Sequence, residues 1–460
     1  MDGFVDLIVR FSDWLWGIPM LVILVGGSLF LTFRLGFIQF RHFGFAMKET
    51  FGKMFHKQEG EGTVTPFQAA TAALASTIGA SNIVGVPVAI AFGGPGAVFW
   101  MWVVALIASA AKFAEIVLGI RYREQNEHGE YVGGPMYYLK NGIKGGLGKV
   151  LSVGFAFFLM IELVPSIATQ SLSAVQTAST VNIPPLVIVA VLVILVGLVV
   201  FGGLTRIGKF SEKLVPFMAL LYLIGGLVII LSNYAHIGEA FGSIFKYAFT
   251  PAAATGGFGG AMVAQAIRWG TARGVYSNEA GMGTAPIAHS GAITDHPVRQ
   301  AMWGMFEIVV DTLIVCSITA LVVLTSGLHL EIPATEAASM PAIAFQQLLG
   351  DGLGGGLVSF SIFLFVLSTI TVITWYGKTQ AEFLFGSTFS NIMVVVYLGA
   401  IVLGAYGGIE TTYKFLDILL AAIIIPNMIG LVMLSGEVNE LKNEFFNNPE
   451  LYPRKKQVRQ

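Results

Sequence analysis

Long apolar runs recur along this chain of 460 residues, at 14–33, 65–91, 97–120, 150–170, 186–203, 214–231, 259–288, 301–324, 357–376, 389–406 and 415–434. About twenty residues, each rising about 1.5 Å, cross about 30 Å of hydrocarbon as a helix. Lipid gives a bare backbone N–H or C=O no partner, so a segment inside it must satisfy its own hydrogen bonds, and a helix does so at this length. Only 12% of the residues are charged and 55% are hydrophobic, with a mean hydropathy of +0.76. Soluble domains are about a quarter charged. The chain is therefore expected to be an all-α polytopic membrane protein with about eleven transmembrane helices.

The basic residues orient these spans. Arg34, Arg41, Lys48, Lys53 and Lys57 would share the first inner loop, and Arg121, Arg123, Lys140, Lys144 and Lys149 the second. Arg206, Lys209, Lys213, Arg299 and Lys378 fall in later inner loops, and Lys442, Arg454, Lys455, Lys456 and Arg459 in the tail. Arg10, Lys246 and Lys414 face the other side, and Lys112, Arg268 and Arg273 lie within spans. The positive-inside rule then predicts a cell (plasma) membrane protein with its N-terminus outside and its C-terminus cytoplasmic. Asp2, Asp6 and Asp13 replace the basic region of a signal peptide, and Gly3 is misplaced for myristoylation, so neither processing is expected. A net charge of −1 with no basic cluster beyond the loops offers nothing to nucleic acid. Cys316 is the single cysteine, which excludes an intramolecular disulfide and a thiolate metal cluster.

Residues 65–91 cannot be a plain span. Ser76, Thr77, Gly79, Ser81, Asn82 and Gly85 interrupt two good helical halves with residues of low helix propensity. A break there frees N–H groups for an anion such as a carboxylate and carbonyls for a small cation such as Na⁺. The competing reading is a small-residue packing face. A second broken element is expected at 265–286, where Gly270, Gly274, Gly281 and Gly283 accompany Arg268, Arg273 and Glu279.

The two elements look related. Ser81-Asn82, Gly85 and Ala89 recur as Ser277-Asn278, Gly281 and Ala285, and Glu115-Ile116-Val117 recurs as Glu307-Ile308-Val309. This suggests an extra first span (1–36), an amphipathic inner segment and loop (37–64), a five-helix repeat (65–232), an outer connection (233–257), an inverted five-helix repeat (258–436) and a cytoplasmic tail (437–460). Phe43, Met47, Phe51 and Met54 line one face of an interfacial helix at 40–55, and 237–249 is a similar short segment.

Other polar residues in the spans carry two readings each. Gln170 either orients a ligand's amine or bonds to a neighbouring helix. Ser368, Thr369, Thr371 and Thr374 either bond back to their own helix or, as an adjacent Ser-Thr pair, give oxygens to Na⁺. Glu115 pairs with Lys112, or bonds to the unwound backbone of the second span, or binds a proton. Glu307 and Asp311 must face the bundle interior. Trp269 and Trp375 pack or line a pocket, and His289, Asp295 and His296 do not form a metal constellation.

The stretch GGPGAVFWMWVVALIA at 93–108 resembles the signature of the alanine or glycine:cation symporter family, the bacterial and archaeal amino acid carrier proteins, departing at Ala108 where Gly is usual. RLGFIQFRHF, TIGASNIVGV and ARGVYSNEAGMGTAPIA resemble that family too, with Ser81 in place of its Gly before the Asn of the first break. The resemblance covers nearly the whole chain. It implies a leucine-transporter-type fold, a 5+5 inverted repeat preceded by one extra span, and Na⁺-coupled or H⁺-coupled uptake of alanine or glycine. It assigns the substrate to Gly79, Ser81, Asn82, Gln170, Trp269 and Trp375. Sodium would go to Ala75, Ile78, Phe365, Ser368 and Thr369, and Glu115 would support an unwound helix. The expected partners are a small amino acid, Na⁺ and membrane lipid, the expected state is a monomer, and no cofactor is implied beyond the coupling ion.

A secondary active transporter is thus expected. A channel would need a ring of filter residues around one pore. A membrane-embedded enzyme would need a nucleophile-base pair or a metal motif such as His-Glu-x-x-His, and none is present.

Overall fold

The computed structural model describes residues 10–12, 14–54, 56, 59–127, 129–179, 182–250, 259–406 and 410–452. Asp2, Gly3, Asp6 and Asp13, the basic residues Lys57, Arg454, Lys455, Lys456 and Arg459, Phe55 and part of the 233–257 connection lie outside them. Each apolar run is helical except at the breaks within 65–91 and 259–288. The first half comprises α1 (Ile18–Arg34), α2 (Phe43–Thr50), α3 (Pro66–Thr77), α4 (Ser81–Gly93), α5 (Gly96–Arg121), α6 (Pro135–Gly142), α7 (Gly146–Ser179), α8 (Pro185–Val200) and α9 (Gly203–Ser232). There follow α10 (Ile237–Phe249), α11 (Gly259–Asn278), α12 (Ala285–His289), α13 (Pro297–Thr325), α14 (Met340–Phe385, kinked at Gly350, φ 81°), α15 (Ser387–Tyr406), α16 (Glu410–Met433) and α17 (Ser435–Asn447). The described strands are β1 (Glu124–Gln125) and β2 (Tyr131–Val132), one short antiparallel hairpin.

Among the described residues seven helices are long and apolar enough to cross a membrane alone, and α3 with α4 makes an eighth span bent by 48°. The sequence explains where they stop. Thr65 caps α3, its Oγ1 accepting from the Gln68 N–H at 3.1 Å while Gln68 Oε1 accepts from the Thr65 N–H, also at 3.1 Å. Pro66 follows at the first helical position, where its missing N–H costs nothing.

The Gly-Gly-Pro-Gly of the signature turns the chain from α4 into α5. A Cβ on Gly96 would stand 2.1 Å from the Tyr247 carbonyl oxygen, so only glycine lets α10 lie across α5. The aromatic core of the signature then fastens α5 to two neighbours, Trp100 Nε1 donating to the Ala248 carbonyl of α10 at 3.0 Å and Trp102 Nε1 to Ser317 Oγ of α13 at 2.8 Å. On α2 the buried positions are Ala46, Glu49 and Thr50. Of the apolar face read from the sequence, Phe43 and Phe51 are exposed, Phe51 with its ring 4.7 Å from that of Phe306, while Met47 and Met54 pack against the core.

The second broken element departs from expectation in one respect. α11 continues through Gly270 and Gly274, and the break falls only after Asn278. Those two glycines are packing positions: a Cβ on Gly270 would meet the Ala97 carbonyl oxygen at 2.3 Å, and one on Gly274 would meet Met101 Cγ at 3.2 Å. The backbone turns left-handed at Glu279 (φ 55°), Gly281 (φ 88°) and Gly283 (φ 84°) before α12 begins.

The two proposed halves interdigitate. α5 packs along α11 and α13, and α7 along α14, α15 and α16. At the basic-rich end, the chain entering α3 pairs with the chain leaving α12. Thr63 N donates to the Gly291 carbonyl at 2.7 Å and Ile293 N to the Val64 carbonyl at 2.8 Å. Arg123 fastens this junction, donating to the carbonyls of Ser290 (3.1 Å), Ala292 (2.8 Å) and Glu61 (2.8 Å).

Candidate functional site

α3 ends because Ile78 leaves the helical region, with ψ at 86°. The last carbonyls of a helix have no partner four residues on, and that of Ala75 is met instead by Thr369 Oγ1 of α14, donating at 2.9 Å. Gly79 stands at the closest point: a Cβ there would lie 3.0 Å from Thr369 Oγ1 and 3.3 Å from Gln170 Nε2. Its N–H donates to Asn82 Oδ1 at 3.0 Å, so the Asn82 side chain shapes the break.

Asp311 joins the two breaks. α13 widens into π-helical turns over Val309–Cys316, the kind of local expansion that re-aims side chains at functional sites. Asp311 Oδ1 accepts from Asn82 Nδ2 at 2.7 Å and its Oδ2 from Ser277 Oγ at 2.8 Å. Asn82 Nδ2 also donates to Ser277 Oγ at 2.9 Å. The repeated Ser-Asn pairs seen in the sequence thus touch each other through one carboxylate. Asn82 is fully buried and its amide is committed to this network rather than turned into a cavity.

A small cavity, of about 30 Å³, opens between α7, the two breaks and α14. Ser81, Gln170 and Thr369 line it, with Ser76, Glu162, Ser166, Glu279 and Thr284 on its polar side and Leu163, Tyr276, Met282, Ile373 and Leu420 on its apolar side. Gln170 Oε1 is buried there with no hydrogen-bond partner, an acceptor left open toward the site.

Of the positions expected to hold sodium, Thr369 alone is seen to reach α3. Thr369 bonds to the Ala75 carbonyl, while the neighbouring Ser368 Oγ donates to the Phe365 carbonyl at 2.8 Å and lies 3.4 Å from Met218 Sδ.

Several expected positions lie elsewhere. Trp269 stacks on Phe92 at 5.0 Å between ring centroids, with Arg273 5.4 Å above its ring. Trp375 lines a separate polar pocket at the basic-rich end with Asn126, Lys378, Thr379 and Glu382. Neither tryptophan lines the central cavity.

Glu115 supports the second break, not the first. Its Oε1 accepts from the Gly283 N–H at 2.9 Å and from Asn427 Nδ2 at 2.6 Å, and Asn427 also donates to the Gly281 carbonyl at 2.9 Å. Lys112 pairs with Glu307 at 3.0 Å rather than with Glu115 one turn along its own helix. Glu307 and Asp311 face the interior as expected, at 0% and 1% exposure. Among the described residues no cluster of His, Cys, Asp or Glu could hold a metal ion.

Glu162 and Glu279 were not singled out as site residues, yet both line the cavity. Glu279 Oε2 accepts from Thr284 Oγ1 at 2.6 Å and Ser76 Oγ at 3.2 Å. A signal was present for Glu162: one carboxylate inside the apolar run 150–170 calls for a functional or paired role.

Comparison with known proteins agrees with this architecture. The sequence model of the sodium:alanine symporter family matches residues 1–459. An uncharacterized transporter, YflA, of Bacillus subtilis is 50% identical over 454 residues, covering 98% of this chain and 96% of that protein. The sodium/alanine symporter AgcS of Methanococcus maripaludis is 42% identical over 442 residues, covering 95% and 96%. Among solved structures, MhsT in complex with L-phenylalanine superposes with a TM-score of 0.59 at 12% identity, covering 84% of this chain and 94% of that one. The fold is of the leucine-transporter type.

Proposed function

The chain belongs to the sodium:alanine symporter family, and from that membership we propose that it is a secondary active symporter coupling inward sodium flow to uptake of small neutral amino acids, alanine or glycine, by alternating access. The observation that carries the reading is the meeting of three different chemistries at one break. The α4 end of the break, at Ala80 and Ser81, suits a carboxylate, because the first N–H groups of a helix lack intrahelical partners and its dipole is positive there, the Gly79 N–H being held by Asn82. The open Gln170 Oε1 suits the substrate's ammonium. The oxygens of Ala75, Ile78, Phe365, Ser368 and Thr369 suit a dehydrated Na⁺, a hard cation.

Asn82 acts from behind, holding the Gly79 N–H and tying the break to Asp311. Sodium between α3 and α14 would join one broken helix to a helix of the other half. Ion and substrate would then favour the same conformation, which is the thermodynamic content of coupling. Proton coupling is the second reading, favoured by Glu162 and Glu279 in the cavity wall.

Uptake of labelled alanine and glycine into proteoliposomes tests both readings, with a Na⁺ gradient alone and with a pH gradient alone. Accumulation under the Na⁺ gradient only is expected. Accumulation under the pH gradient only transfers the coupling role to the carboxylates.

A further inference from the structure

The second break holds a positive charge of its own. Lys112 Nζ of α5 donates to the carbonyl of Asn278, the last residue of α11, at 2.9 Å, and lies 3.0 Å from Glu307 Oε2 of α13. Lys112, Asn278 and Glu307 are each 0% exposed. Glu307 Oε1 lies 2.5 Å from His289 Nε2 of α12, so the ammonium reaches both sides of the break, one directly and one through a carboxylate. Gly304 keeps the lane clear: a Cβ there would lie 3.3 Å from Lys112 Cγ and 2.3 Å from Ile116 Cδ1. Asp311, Glu279 and, one turn along α5, Glu115 are the other carboxylates near the ammonium.

We propose that Lys112 is a tethered cation, a positioning residue that does permanently at the second break what an exchangeable ion does at the first. The inference rests on the reading that the carbonyl end of α3 holds the coupling cation. A helix C-terminus carries a partial negative charge, and a cation there stabilises it. At α3 that cation can leave. At α11 it is bonded to a four-carbon stem on α5 and cannot leave. The consequence is an asymmetric cycle: α11 stays tied to α5 and α13 throughout, while α3 loosens from α14 each time its ion departs.

A simple ion pair between Lys112 and Glu307 makes a different prediction, and the experiment separates them. K112A, K112M, K112R and K112M/E307Q are purified, and each is assayed for thermal unfolding and for uptake in liposomes, with and without methylammonium. K112A is expected to lose about 100-fold in uptake, since removing one partner leaves a buried charge uncompensated. Methylammonium is expected to raise both its unfolding temperature and its uptake while leaving the wild type unmoved, and K112R is expected to retain transport.

The double variant K112M/E307Q balances charge but supplies no donor to Asn278, so it is expected to fold and remain impaired. Wild-type uptake by K112M or by K112M/E307Q overturns the proposal, as does a K112A protein that methylammonium neither stabilises nor reactivates. If K112A does not fold, the double variant decides. The unfolding measurements use neither substrate nor sodium, so they stand whether or not the first break binds sodium.

Discussion

Replacing Gln170 with leucine should move binding and stability in opposite directions. Gln170 Oε1 is buried and makes no hydrogen bond to another group of the protein. An unsatisfied buried acceptor costs about 1–3 kcal/mol, and leucine, of similar size, removes that cost. In the proposed complex the same oxygen would accept from the ammonium, and a hydrogen bond to a charged group contributes about 1.5–3 kcal/mol. At about 1.4 kcal/mol per factor of ten, Q170L should weaken alanine binding by about 10-fold to 150-fold. Its unfolding temperature without substrate should be unchanged or higher.

Calorimetric titration of alanine into purified protein gives the first quantity and thermal unfolding in detergent the second. Affinity within about twofold of wild type would refute the ammonium assignment, since the smallest loss consistent with it is about tenfold. A lower unfolding temperature would instead identify Gln170 as a structural bond between helices.

Three further outcomes follow from the same geometry. Asn82→Ala strips the Gly79 N–H and Asp311 of a shared partner and should cost about 1.5–3 kcal/mol of binding or stability; unchanged affinity in a folded, equally stable protein contradicts its role at the break. Ser368→Ala with Thr369→Ala should raise the Na⁺ concentration that half-activates uptake, and wild-type activation would place the ion elsewhere or make the coupling ion H⁺. Trp269→Ala and Trp375→Ala should leave the rejection of valine and leucine intact, read as competition against labelled alanine, because neither ring lines the central cavity; admission of either larger amino acid would return that tryptophan to the pocket wall.

The sequence by itself determined the helices and the places where they fail. Hydropathy is a property of each local run, and the low helix propensity around Gly79 and at Gly281 and Gly283 acts within a few residues, so both breaks were legible before any contact was known. Even there, Gly270 and Gly274 misled, because a glycine that breaks a helix and one that admits a neighbour's backbone read alike until the Ala97 carbonyl stands beside it.

Partnerships were decided only by the tertiary structure. Lys112 lies one helical turn from Glu115, yet it bonds to Asn278 and Glu307, while Glu115 bonds to Gly283 and Asn427. Each residue along a helix turns the side chain by about 100°, given 3.6 residues per turn. Span boundaries soft by several residues therefore leave the facing of Trp269, Trp375 and Gln170 undetermined. The packing of α5 against α11 and α13, and of α7 against α14, fixes that rotation, and with it that the Ala75 carbonyl meets Thr369 and the Asn278 carbonyl meets Lys112.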